Sequence, residues 1–280
     1  MMPAVTQESI QTGGWRAGLR LGFRAGSDRT VLAERRRHGP LAVQRPFYPE
    51  GGICHVYLLH PPGGVVGGDS LDIDTGMGQG TGALVTTPGA TKFYRSAGAQ
   101  ARQVQHLRVA ADATLEWLPQ ENILFPGAQV QLETRIELQA GARLAFWEIQ
   151  CLGRPAIGED FDSGRLDSRL TLSREGQPLL DERLRVGAEN RTRLSLIAGH
   201  AVSATLLIGP ADDEALEACR ALVQSAGDGH AAATLIEGLL VVRYLGDSTE
   251  HARRLFTAIW QTLRQGTLGH PPCVPRIWAT

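Results

Sequence analysis

Between Trp15 and Ile208 the dominant spacing of apolar and polar residues is two. Val130, Leu132, Thr134, Ile136 and Leu138 alternate with Gln129, Gln131, Glu133, Arg135 and Glu137, which predicts a strand with one dry face. Leu166–Leu172 repeats the pattern, and Leu71–Thr75 does so more briefly. Leu144-Ala145-Phe146-Trp147-Glu148-Ile149 is apolar at both parities, so this strand is expected to be covered on both faces. About a dozen or more strands are predicted in this way. Turn-and-strand units recur at Gly82-Ala83-Leu84, Asp112-Ala113-Thr114-Leu115 and Gly141-Ala142-Arg143-Leu144, 31 and 29 residues apart. Stacked coils give such a spacing, making a mainly β, β-helical or solenoid-like body one candidate and a two-sheet sandwich the other. Three loose copies do not decide between them.

The last quarter reads differently. Acidic residues after Pro210 precede Leu216, Cys219, Leu222 and Val223 at helical spacing, which predicts one α-helix ending near Gly227. A second is expected from Ser248 as N-cap, through Ala252, Leu255, Phe256, Ile259, Trp260 and Leu263, to Gly266; its other face holds Arg253, Arg254 and Arg264. Between them, Thr234–Leu245 reads as one buried strand. The expected organisation is a flexible tail over residues 1–14 and one domain over 15–280. That domain has a β body to about 208, a helix–strand–helix region over about 210–266, and an extended C-terminal tail over 267–280.

Composition narrows the chemistry. The 28 basic residues, of which only Lys92 is lysine, balance 29 acidic ones, so no positive field exists for counterion-driven nucleic-acid binding. No run approaches a membrane span and no signal-peptide layout is read at the N-terminus; with four widely spaced cysteines lacking any C-x-x-C pair, a reduced, cytoplasmic chain is expected. The glycine cluster from Gly63 to Gly68 matches neither the phosphate-loop nor the dinucleotide spacing and reads as a turn between strands. No nucleophile elbow or zinc-protease helix is present.

Metal chemistry has more candidates. Cys54, His55 and His60 lie within seven residues and precede Asp69, Asp72 and Asp74, a donor mixture that suits borderline ions such as nickel or zinc. Glu148 sits in a strand apolar on both sides, where a carboxylate must be paired, protonated or turned to a wet cavity. Glu121 and Glu159 lie in Gly/Pro-punctuated segments, and a structural ion pair with an arginine is the competing reading for each acid.

Longer segments carry a resemblance. Leu84-Val85-Thr86-Thr87-Pro88-Gly89-Ala90-Thr91-Lys92-Phe93-Tyr94-Arg95, Leu115–Phe125, Phe146-Trp147-Glu148 with Cys151–Pro155 and Gly158-Glu159, Gly238–Gly246 and Pro275-Arg276-Ile277-Trp278 together resemble the urease accessory protein UreD (UreH) family. The resemblance implies a β-helical fold with two helices and a non-enzymatic scaffold. Such a scaffold binds apo-urease and, with UreF and through it the GTP-hydrolysing UreG, helps insert nickel into urease. It also implies an internal polar passage, for which Asp69, Glu121, Glu148 and Glu159, with His55 and His60, are the candidates. No permanently bound cofactor is expected, only transient nickel, and neither nucleic acid nor membrane is an expected partner. A β-helical hydrolase or lyase, or a binding module for an unrelated protein, are the alternatives.

Overall fold

Parallel pairing between strands about thirty residues apart dominates the computed structural model, which describes residues 14–227 and 229–279. The tail expected over 1–14 therefore lies, except for Gly14, outside the described residues. The chain enters through β1 (Arg16–Ala25), β2 (Thr30–His38), the short β3 (Ala42–Val43) and β4 (Cys54–Leu59). Coils follow: β5 (Ser70–Met77), β6 (Gly82–Thr86) and β7 (Thr91–Phe93), then β8 (Ala101–Val109), β9 (Thr114–Trp117) and β10 (Asn122–Leu124). Next come β11 (Gln129–Leu138), the long β12 (Arg143–Arg154), β13 (Glu159–Asp160), β14 (Arg165–Arg174) and β15 (Gln177–Gly187). The chain closes with β16 (Val202–Gly209), α1 (Asp213–Gln224), β17 (His230–Ile236), β18 (Leu239–Gly246) and α2 (Thr249–Leu268).

On one face β1, β5, β8, β11 and β14 run parallel, bounded by antiparallel β2 and β15. A second face stacks β4, β6, β9 and β12 in parallel and continues antiparallel through β16, β18 and β17. Short β7 and β10 make a third side beside the distal half of β12. The result is a solenoid-like stack of about four turns, which decides between the two candidate architectures.

The turns between the first two faces stack as well. Gly80, Asp112 and Gly141 occupy equivalent places and share the left-handed conformation, with φ of 64°, 56° and 69°. The Gly80 N–H donates to Ala111 O and the Asp112 N–H to Ala140 O in the next turn. The residues three positions on, Ala83, Leu115 and Leu144, pair with one another in the ladder, so the repeat read from sequence is one residue out of step in its first copy.

Side-chain alternation gives the second face two cores. Phe146, Trp117 and Leu207 pack toward the first face, whereas Trp147, Leu206 and Val242 pack under the helices against Phe256 and Trp260. Asp212 caps α1 by accepting from the Ala215 N–H, and Ser248 caps α2 by accepting from the His251 N–H. Two expectations for this region need correction. The run from Thr234 is not one strand but the β17–β18 hairpin, turning at Glu237 and Gly238, both with positive φ. Helix α2 passes through Gly266 and ends at Gly269, whose φ of 79° makes it the C-cap.

Candidate functional site

Two cavities open inside the β body. The larger, about 530 Å³, lies between β14–β15 on one side and β12, β16 and β18 on the other. The smaller, about 210 Å³, lies near β7, β10 and the residues after β4. Glu148 lines both. It shares strand parity with Leu144 and Phe146, so β12 directs it between the faces and not toward the helices. There it is only partly accessible, and burial pushes its carboxyl up to about 7, with the nearby Gln150 side chain pulling in the opposite direction.

The walls around it mix apolar, neutral polar and charged side chains, with Glu182, Arg183 and Arg243 on the larger cavity and Lys92 on the smaller. Ser168, Ser203 and Thr205 line the larger cavity; Gln103, Gln105 and Asn122 line the smaller. Gln105 is fixed by accepting from Trp117 Nε1 and donating to Thr134 Oγ1, both at 3.1 Å, and Asn122 donates to Gln150 Oε1 at 3.2 Å. One buried nitrogen at the smaller cavity, His60 Nε2, has no hydrogen-bond partner. His60 lines the smaller cavity and stacks on Trp15 at 5.3 Å; burial keeps its imidazole below the usual pKa against the pull of Asp69. Neither cavity is lined by a cysteine, so the donors available are carboxylate, amide, hydroxyl and imidazole.

The remaining candidates are dispersed. Asp69 is buried, but its two oxygens accept from the Trp15 and Val66 N–H groups, so it pins the glycine-rich turn before β5. Glu159 pairs with Arg154 at the surface, the structural role set against it. Glu121 lines neither cavity; its Oε2 is buried without a partner, and its charge adds to the burial that raises the Cys151 thiol to about 12. His55 is fully buried on the helix side of the second face, bonded through Nε2 to Glu50 at 2.6 Å. Cys54 points the other way into the core, and Asp72 and Asp74 form surface pairs with Arg102 and Arg108. The cluster of Cys54, His55 and His60 suggested by spacing therefore does not converge.

A buried ionic network escaped the sequence reading. Arg264, placed there on the polar face of α2, is fully buried. Its guanidinium donates to Glu116 at 2.7 and 2.8 Å and to Glu50 at 2.6 and 2.8 Å, with Trp260 Nε1 donating to Glu116 at 2.6 Å. Burial alone would lower the Arg264 pKa, but its bonds to Glu116 and Glu50 raise it. For Glu50 burial acts upward, and the bonds from His55 and Arg264 bring the carboxyl below its usual range. The signal was present in the spacing, because Arg264 lies four residues after Trp260 and eight after Phe256, on the apolar stripe. Glu116, like Glu148, lies in a strand buried at both parities.

No helix among the described residues is long and apolar enough to cross a membrane. The family model described as "UreD urease accessory protein" matches residues 16–279. Proteins named urease accessory protein UreD are similar across nearly their whole length. That of Pseudomonas putida (strain W619) is 48% identical over 274 residues, covering 98% of each chain. That of Pseudomonas entomophila (strain L48) is 49% identical over 267 residues, covering 95% of each. That of Alkalilimnicola ehrlichii is 50% identical over 270 residues, covering 95% of this chain and 92% of the relative.

Proposed function

The chain belongs to the UreD urease accessory protein family, and on that premise we propose that it is a non-enzymatic, cytoplasmic scaffold for nickel insertion into urease. It binds apo-urease and UreF, and through UreF works with the nucleotide-hydrolysing UreG. The observation that carries the reading is the position of Glu148, which lines both cavities inside the β body. Nickel is the cargo and no cofactor is held permanently on this path.

The chemistry of the walls suits transfer. Carboxylate, amide and imidazole donors hold a borderline ion loosely, whereas a thiolate cage would retain it. Burial raises the Glu148 carboxyl toward neutrality, so it can accept the ion as it gives up its proton and regain the proton as the ion leaves. Gln103, Gln105 and Asn122 offer carbonyl oxygens without a fixed charge that would trap the ion.

Co-expression with apo-urease, UreF and UreG in a strain lacking its own copy of this protein tests the scaffold role. Active urease should form only when the chain is supplied, and the chain should co-purify with urease subunits. Full activation without it contradicts the proposal.

A further inference from the structure

A second set of metal-type donors meets on the opposite side of the second face from the passage. Glu50, in the segment before β4, His55 on β4 and Cys273, after α2, each place one ligand atom within 4.8 Å of the other two. They come from opposite ends of the chain, so only the fold assembles them. We infer that Glu50, His55 and Cys273 bind one borderline divalent transition-metal ion, of the zinc or nickel kind, at a site separate from the cavities around Glu148.

Donor chemistry supports this choice. One thiolate, one imidazole and one carboxylate match ions intermediate in softness and disfavour magnesium or calcium, which take oxygen ligands. Three protein ligands leave a fourth position open to water or an incoming ligand, so the site is exchangeable. His55 is wholly buried, and its Nδ1 has no hydrogen-bond partner, so protein contacts leave part of the ring's bonding capacity unused.

The surroundings hold the ligands in place and balance charge. Arg264 donates to both oxygens of Glu50 while Glu116 neutralises its charge; Oε1 is also bonded to His55 Nε2, and Oε2 keeps a second lone pair for an ion. A divalent ion binds as ligand protons, that of the Cys273 thiol among them, leave to solvent, with no electron transferred.

This inference goes beyond the proposed function and does not depend on it, since the donors lie across the sheet from Glu148. The test uses the full-length protein, reduced and stripped with chelator, titrated separately with Zn²⁺ and Ni²⁺ against a competing chelator. Wild type should retain one equivalent at this site, with a sulfur-to-nickel charge-transfer band in the Ni²⁺ arm. Cys273→Ala should lose the band and weaken binding by about tenfold or more, whereas Glu148→Gln should keep both. Alkylation of wild-type Cys273 gives a second reading that needs no variant: the ion should slow modification of this thiol, the one cysteine that is not buried. Unchanged affinity in Cys273→Ala, no retained ion in wild type, or an alkylation rate indifferent to the ion would overturn the inference.

Discussion

Glu116 and Glu148 sit in strands covered on both sides, yet their carboxylates meet opposite surroundings. Glu116 meets Arg264 and Trp260, while Glu148 faces a wet space with no cation bonded to it. Replacing Arg264 by Met leaves Glu116 buried against a lost partner, so a stability loss of about 3–5 kcal/mol is expected, read as a lower urea midpoint. Adding Glu116→Gln should restore part of it. Glu148 carries the opposite sign. Its carboxyl titrates near 4.5 when unfolded and at about 7 when folded, so the native state binds more protons between those values. Its contribution is fully present below about 4.5 and is lost as pH rises toward 7. Glu148→Gln should therefore match wild type at pH 4 and exceed it at pH 8, by about 1–3 kcal/mol, in thermal melts across pH. Glu148 was legible in sequence because strand parity alone isolates it. Arg264 was harder to read, because its carboxylate partners lie 148 and 214 residues away, although its place on the apolar stripe pointed inward.

Among the elements, the stacked turns show which part of the repeat matters. Gly141 adopts a left-handed conformation, and a side chain there would meet Asp112 Oδ1 at 2.3 Å. Gly141→Val should cost about 2 kcal/mol or more, whereas Asp112→Gly, which keeps the conformation and removes the Cβ penalty, should be neutral or stabilising by about 1 kcal/mol; chemical denaturation compares them. The period near thirty was visible because each coil repeats turn and strand. Its register was not, because coil lengths differ: Gly82 pairs with Thr114, 32 residues on, and Thr114 with Arg143, 29 residues on. The β17–β18 hairpin was missed because Glu237-Gly238 lacks the Asn-Gly or Asp-Gly signature of a two-residue turn. Gly266 looked like a helix stop, but a glycine in a helix interior costs only about 1 kcal/mol, which the packing of Leu263, Thr267 and Leu268 offsets.

At the scale of the molecule, three layers divide the work. The first and second faces enclose the polar cavities, and the helices cover the back of the second face with the Arg264 network and the Glu50–His55–Cys273 group. Sequence periodicity marked the strands and both helices but left the coil body and a two-sheet sandwich undecided. The cavities needed the fold, since their linings come from strands far apart in sequence. The central claim is that nickel reaches urease through the space around Glu148. It is tested most directly by the nickel content of urease matured with wild-type or Glu148→Gln protein, with UreF and UreG present and urease binding checked by pull-down. The account predicts equal pull-down and a several-fold lower nickel content with the variant. Equal nickel content, with the variant folded and bound to urease, would contradict it.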